Sequence, residues 1–226
     1  METLDLTGYR LDVDERFEGE LDTGRWFPHF LPHWSTLEQS RARFETGDGL
    51  RLIVDGDSEL WAPHLGDGSR VAHLQTGHFS GPIGSAVGQH RFRDDLRVRT
   101  AAPELALWHL THGVVEVRAK AIADPDVMVA FWPMGVERDP RDSGELCVFE
   151  IFGNELDDTG GRGRYRGLLG DGRGCLIRRG FRRSGPGVFV IRLAGIGRSW
   201  CRTGFGCDGR LAAFGSSRNA AVTGRG

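Results

Sequence analysis

Val114-Val115-Glu116-Val117-Arg118-Ala119-Lys120-Ala121 is the stretch that decides the fold class, because it alternates. Val115, Val117, Ala119 and Ala121 fall on one face of an extended chain, and Glu116, Arg118 and Lys120 fall on the other. That pattern predicts a strand with one face buried. Upstream, Leu50-Arg51-Leu52-Ile53-Val54 follows the turn Gly47-Asp48-Gly49 and reads as a second strand. Downstream, Val127 to Trp132 is a nearly continuous apolar run, as expected of a strand covered on both sides. Up to about Leu156, clusters of Gly, Asp and Pro punctuate the chain at roughly the eight-to-twelve-residue spacing of a sandwich or barrel. No segment holds helical periodicity over three turns. The predicted class is all-β.

The 226 residues suffice for one sizeable core. A formal net charge of −2 argues against nucleic acid or an anionic membrane as the main partner. No apolar run approaches the roughly 18 residues needed to span a bilayer. Met1 to Asp14 mixes acids with apolar residues and lacks the basic-then-apolar layout of a secretion signal, so a cytoplasmic chain is expected. Cys147, Cys175, Cys201 and Cys207 have neither zinc-ribbon nor redox spacing, and their low density gives no disulfide framework. Cys147 reads as a reduced thiol. The eight histidines show no metal-pair spacing, so no metal or other cofactor is expected.

After about Leu156 the composition changes. The last third holds roughly half of the glycines and half of the basic residues, all arginine, with no Glu, Lys or His. Stretches such as Gly161-Arg162-Gly163-Arg164 show neither alternation nor turn logic. The expected organisation is a β-sandwich region over residues 1–156 and an atypical Gly/Arg-rich tail over 157–226. Three readings of the tail stand side by side: a segment that binds nucleic acid while disordered, a solvated flexible tail, or the product of a shifted reading frame in a GC-rich gene. Val188-Phe189-Val190-Ile191 is its largest apolar island and leaves room for a strand.

The segment that carries chemistry is Gly144-Glu145-Leu146-Cys147-Val148-Phe149-Glu150-Ile151-Phe152-Gly153. It sets two carboxylates in an apolar, β-prone run, and burying an unpaired carboxylate is costly. In a regular strand residues 145 and 150 point to opposite faces; a bulge near Val148 or Phe149 would bring Glu145, Cys147 and Glu150 onto one face. Two carboxylates on one face suit glycoside hydrolysis with retention, which needs them about 5–5.5 Å apart. The acid of the pair must have its pKa raised by apolar neighbours and by the adjacent negative charge.

Glu145-Leu146-Cys147-Val148-Phe149-Glu150 resembles the bulged Glu-x-Asp-x-x-Glu signature of glycoside hydrolase family 16, the laminarinase-like enzymes. The resemblance continues in Asp14-Glu15-Arg16-Phe17, in Leu21-Asp22-Thr23-Gly24-Arg25-Trp26, in Gly113 to Lys120 and in Val129-Ala130-Phe131-Trp132-Pro133-Met134-Gly135. These segments cover roughly the first two thirds of the chain, in the family's order. The resemblance implies a β-jelly-roll sandwich of the concanavalin-A type, with Glu145 as nucleophile and Glu150 as acid/base. It also implies Trp132 as a sugar-stacking residue. Cys147 stands where the family has an Asp that tunes the nucleophile, and a thiol is only a weak donor. Trp34, within Pro32-His33-Trp34-Ser35, reads as loop and is a second candidate for the rim of the cleft.

The function expected is a retaining endo-glycosidase acting on a polysaccharide or oligosaccharide, β-1,3-linked glucan first, with galactans sharing the bulged motif. The alternatives are a non-catalytic carbohydrate-binding sandwich, motivated by Cys147, and an inactive truncated or frameshifted relative.

Overall fold

The computed structural model describes residues 7–8, 10–109, 113–135, 137–138, 149–156, 182–185, 188–196, 210–213 and 221–225. Twelve strands are present among them: β1 (Arg43–Glu45), β2 (Arg51–Asp55), β3 (Leu74–Gln75), β4 (Gly77–His78), β5 (Leu105–Ala106), β6 (Gly113–Lys120), β7 (Met128–Met134), β8 (Phe149–Phe152), β9 (Arg182–Gly185), β10 (Val188–Ile196), β11 (Arg210–Ala213) and β12 (Ala221–Arg225). The helical turns among the described residues are short 3₁₀ pieces at Pro32–Trp34, Pro63–Leu65 and Gly153–Glu155. No helix of the described residues is long and apolar enough to cross a membrane. The fold is all-β.

Two sheets form the body. One has the order β1-β2-β12-β6-β10-β9, the other β3-β11-β7-β8, and β4 and β5 pair separately. Their strands are antiparallel except at β12, which runs parallel to both β2 and β6. Alternation decides which side chains meet between the sheets. Val117 and Ala119 of β6 and Leu52 of β2 come from the first sheet, and Leu74 of β3, Val129 and Phe131 of β7 and Phe149 and Ile151 of β8 come from the second; all belong to one buried cluster. Glu116 and Lys120 lie on the solvent side, as the two-residue period requires. Burying a side chain such as Phe149 or Ile151, 0% and 1% exposed, contributes about 2–3 kcal/mol each.

The entry of the chain is fastened by one carboxylate. Glu15 accepts hydrogen bonds from the Phe17 backbone N–H (2.9 Å), the Trp26 indole N–H (3.2 Å) and the Arg25 guanidinium (3.2 Å). The turn at Asp22 delivers Trp26 to that point through its backbone and side-chain oxygens. Phe17 and Trp26 then stack at 5.4 Å in the main core.

The composition break near residue 156 is not a break in the sheets. β10, which contains the apolar island Val188–Ile191, pairs with β6 along its length, from Val188 opposite Lys120 to Ile196 opposite Gly113. β11 sits between β3 and β7, and β12 between β2 and β6. Strand pairing needs extended backbone and a few apolar positions, and these short segments supply both despite the glycines around them.

Candidate functional site

From residue 129 onward β7 is covered on both faces, as its apolar run predicts. Val129 and Phe131 face the core between the sheets; Ala130, Trp132 and Met134 form a second buried cluster on the opposite side, with Phe30 packed against it. The register of β7 with β8 puts Phe131 opposite Phe149, Ala130 opposite Glu150, Val129 opposite Ile151 and Met128 opposite Phe152. Because Phe149 and Ile151 are committed to the core, Glu150 between them points the other way and shares a face with Ala130 and Trp132. Glu150 is half-buried there. Its diagonal neighbour across the ladder is Trp132, at the roughly 7–8 Å separation of such positions.

Gly153 ends β8 for a steric reason. A Cβ at this position would lie 1.8 Å from the backbone oxygen of Asp124, so only glycine lets the 121–127 turn pack against the strand end. The Gly153 N–H donates to the Val127 carbonyl at 2.9 Å, extending the β7–β8 pairing one position past Phe152.

The far side of the same face is built by β3. Leu74 goes to the core, so His73 and Gln75 turn toward the Trp132 side. The His73 ring lies 5.2 Å from the Trp132 ring and 5.1 Å from Phe30. Burial pushes the His73 imidazole down to about 3, with His90 adding a smaller repulsion, so the ring is neutral across the physiological range. Gln75 is 2% exposed, and its amide Nε2 makes no hydrogen bond to the described residues. Sequence reasoning passed over both residues; the signal available was a polar residue on each side of Leu74 in a short apolar strand.

Beneath this face lies a buried polar network. His33 Nδ1 and His78 Nε2 are 2.8 Å apart, His33 Nε2 faces the Gln89 carbonyl at 3.1 Å, and His78 Nδ1 faces the Pro103 carbonyl at 2.8 Å. The Gln89 amide accepts from Phe79 N–H at 3.0 Å and donates to the Gly135 carbonyl at 3.4 Å, one residue past the end of β7. Glu137 accepts from the backbone N–H of His90. Together these contacts tie the loop carrying Gln89 and His90 to the end of the strand that bears Trp132.

The sequence-predicted residues fare differently. Glu150 and Trp132 are brought to one face. Trp132 retains 9% exposure, so most of its ring is already in contact with protein. Trp34 is corrected: rather than rimming a cleft, it is 0% exposed in a separate cluster with Leu31, Trp61 and Leu96. The Pro32–Trp34 turn points the indole inward, where its N–H donates to the Gln89 carbonyl at 2.9 Å. Glu145 and Cys147, with the bulge expected beside them, lie outside the described residues. No group of three or more His, Cys, Asp or Glu that could hold a metal ion occurs among the described residues.

No protein-family model matches the chain, and no curated protein matches it. Among solved structures it is similar to the GlcNAcα1-4Gal releasing endo-β-galactosidase from Clostridium perfringens, with 24% identity and a TM-score of 0.54. The match covers 70% of this chain and 40% of that one, so the chain spans less than half the length of that enzyme. At this identity the likeness is one of fold.

Proposed function

We propose that the chain is a retaining endo-glycosidase acting on a β-linked polysaccharide or oligosaccharide, with Glu150 as acid/base and Glu145 as nucleophile. The observation that carries the reading is Glu150, a half-buried carboxylate on the face of β8 opposite the core, on the same side as Trp132. The resemblance of residues 145–150 to the signature of glycoside hydrolase family 16 supports it, and so does a fold similar to that of an endo-β-galactosidase.

In this reading Glu145 attacks the anomeric carbon while Glu150 gives its proton to the departing glycosidic oxygen, leaving a glycosyl ester on Glu145. Glu150, now a carboxylate, takes a proton from water, whose oxygen attacks the same carbon and releases Glu145. Trp132, most of whose ring is packed against protein, supports the floor of the site from below. Cys147 beside Glu145 offers only a weak hydrogen bond, so support for the nucleophile comes from elsewhere or is reduced.

The motif points first to β-1,3-glucan. A galactan is the second reading, favoured by the similarity to an endo-β-galactosidase. Reducing-sugar release from each polymer tests both, with Glu145→Gln and Glu150→Gln as controls. Release from one polymer, lost in both variants, is the expected result. Full activity in both variants would overturn the assignment, and tight glycan binding without cleavage at any pH would favour a binding sandwich.

A further inference from the structure

Trp132, the aromatic that the motif offers for stacking, is 9% exposed, whereas another aromatic on the same face is open: Phe152, at 42%. Phe152 follows Glu150 by two positions on β8, so both side chains leave the strand on one side, roughly 6.7 Å apart along it. Directly across the ladder stands Met128, 43% exposed and paired in register with Phe152. Positions opposite one another in an antiparallel pair bring their Cβ atoms to about 4.5–5.5 Å, so the ring and the thioether present one continuous apolar patch. The backbone beneath it is held by Gly153, whose N–H bonds to Val127 and whose missing side chain admits Asp124. The patch is therefore mounted on a fixed hairpin end.

We propose that Phe152, with Met128, is a platform that binds one sugar residue of the substrate beside the scissile bond, and so determines affinity for the glycan chain. The proposal deepens the glycosidase reading and rests on it. Each face of a pyranose ring carries C–H groups that suit an aromatic surface, while its rim carries hydroxyls. A patch next to a proton-donating carboxylate accommodates that combination: the ring lies on Phe152 and Met128, and the glycosidic oxygen at its edge reaches Glu150. An unbranched thioether adapts to the ring's uneven face. A second copy of this chain covering the same patch is the competing occupant, since β7 is the strand paired with β8 among the described residues.

The test is a kinetic comparison of the wild-type chain with Phe152→Ala, Phe152→Trp, Met128→Ala and Glu150→Gln. Each is assayed on β-1,3-glucan and β-galactan, with thermal melting and light-scattering mass measured on the same samples. Phe152→Ala is expected to raise KM about tenfold with little change in kcat, and Phe152→Trp to restore it. Met128→Ala should raise KM less. An unchanged KM in a folded Phe152→Ala overturns the platform while leaving the glycosidase reading intact. A drop from dimer to monomer in Phe152→Ala, with KM unaltered, assigns the patch to a second copy and also overturns it. Should the wild-type chain neither cleave nor bind either polymer, the glycosidase reading falls and the platform with it.

Discussion

His33 and His78, 45 positions apart in sequence, face each other through Nδ1 and Nε2 at 2.8 Å inside the protein, both 0% exposed. Three hydrogen-bond contacts run through this pair: Gln89 carbonyl to His33, His33 to His78, and His78 to the Pro103 carbonyl. Two neutral imidazoles hold two N–H protons, one short of the number needed. A third proton would leave a buried positive charge, and burial, with repulsion from His78 behind it, lowers the His33 pKa well below 6.5. One contact therefore has no proton. The 3.1 Å contact to Gln89 is the longest of the three, and that carbonyl already receives the Trp34 indole N–H at 2.9 Å. Both rings are thus expected as Nδ1–H tautomers, His78 donating to Pro103 and His33 to His78. Long-range proton–nitrogen spectra near neutral pH would show this; an Nε2–H signal from His33 would place the unprotonated contact between the two rings and overturn the assignment.

The same chemistry fixes how stability responds to acid. His29, His33, His64 and His73 all have folded-state pKa values below 6.5, burial being the first cause in each. From about one pH unit above 6.5 these rings are neutral folded or unfolded and contribute no pH dependence. Below it the unfolded chain takes up protons that the folded chain refuses, so stability falls as pH drops toward the folded pKa values. His73, pushed to about 3, is the clearest case. Between about pH 6.5 and pH 5 it alone removes roughly 2 kcal/mol. Urea midpoints measured at about pH 7.5 and pH 5 should shift accordingly with the m-value unchanged. His73→Phe should flatten the difference, and equal midpoints in the wild type would refute the mechanism.

Much of the sandwich is written locally. The alternation of Val115, Val117 and Ala119 names the core face of β6 without knowledge of any partner, and the apolar flanks of Glu150 settle which way it points. What the sequence hides depends on distant meetings. Pro32-His33-Trp34-Ser35 has the composition of an exposed loop. Its indole and imidazole are buried because distant groups receive their N–H protons: the Gln89 carbonyl, more than 50 residues away, accepts from the indole, and His78 Nε2 accepts from His33. Gly88 allows that approach, since a Cβ there would lie 2.6 Å from the His33 ring. The tail misleads for the converse reason: glycine and arginine dominate its composition, while strand pairing depends on the order of a few residues such as Val188 to Ile191.

That dependence makes truncation informative. Ending the chain after Leu156 removes β10 and β12 from beside β6, and β11 from between β3 and β7. β7 and β6 would each lose ladder partners, and apolar surface would be uncovered along open edges. The truncated chain is expected to aggregate or to melt without cooperativity, and the full chain to melt in one transition. A soluble 1–156 fragment with a cooperative melt close to the full chain's would show that the later strands do not hold the sandwich together.

Gly153→Ala isolates the contact that ends β8. The added Cβ would meet the backbone of Asp124, with oxygen at 1.8 Å, carbon at 2.5 Å and nitrogen at 2.6 Å, so no side-chain rotation relieves the clash. Either the 121–127 turn moves away, breaking the Gly153–Val127 hydrogen bond, or β8 shifts and carries Glu150 with it. The expected loss of stability is about 3 kcal/mol, at the upper end of small-to-large substitutions because the obstacle is backbone. With Glu150 in its proposed acid/base role, activity should fall beyond what the unfolded fraction explains, since a displacement of about 1 Å in a reacting group costs up to a hundredfold in rate. Chemical denaturation and kcat measured on the folded fraction separate the two effects. A variant as stable as the wild type would mean that the turn accommodates a side chain at 153, and that Gly153 does not hold Glu150 in place.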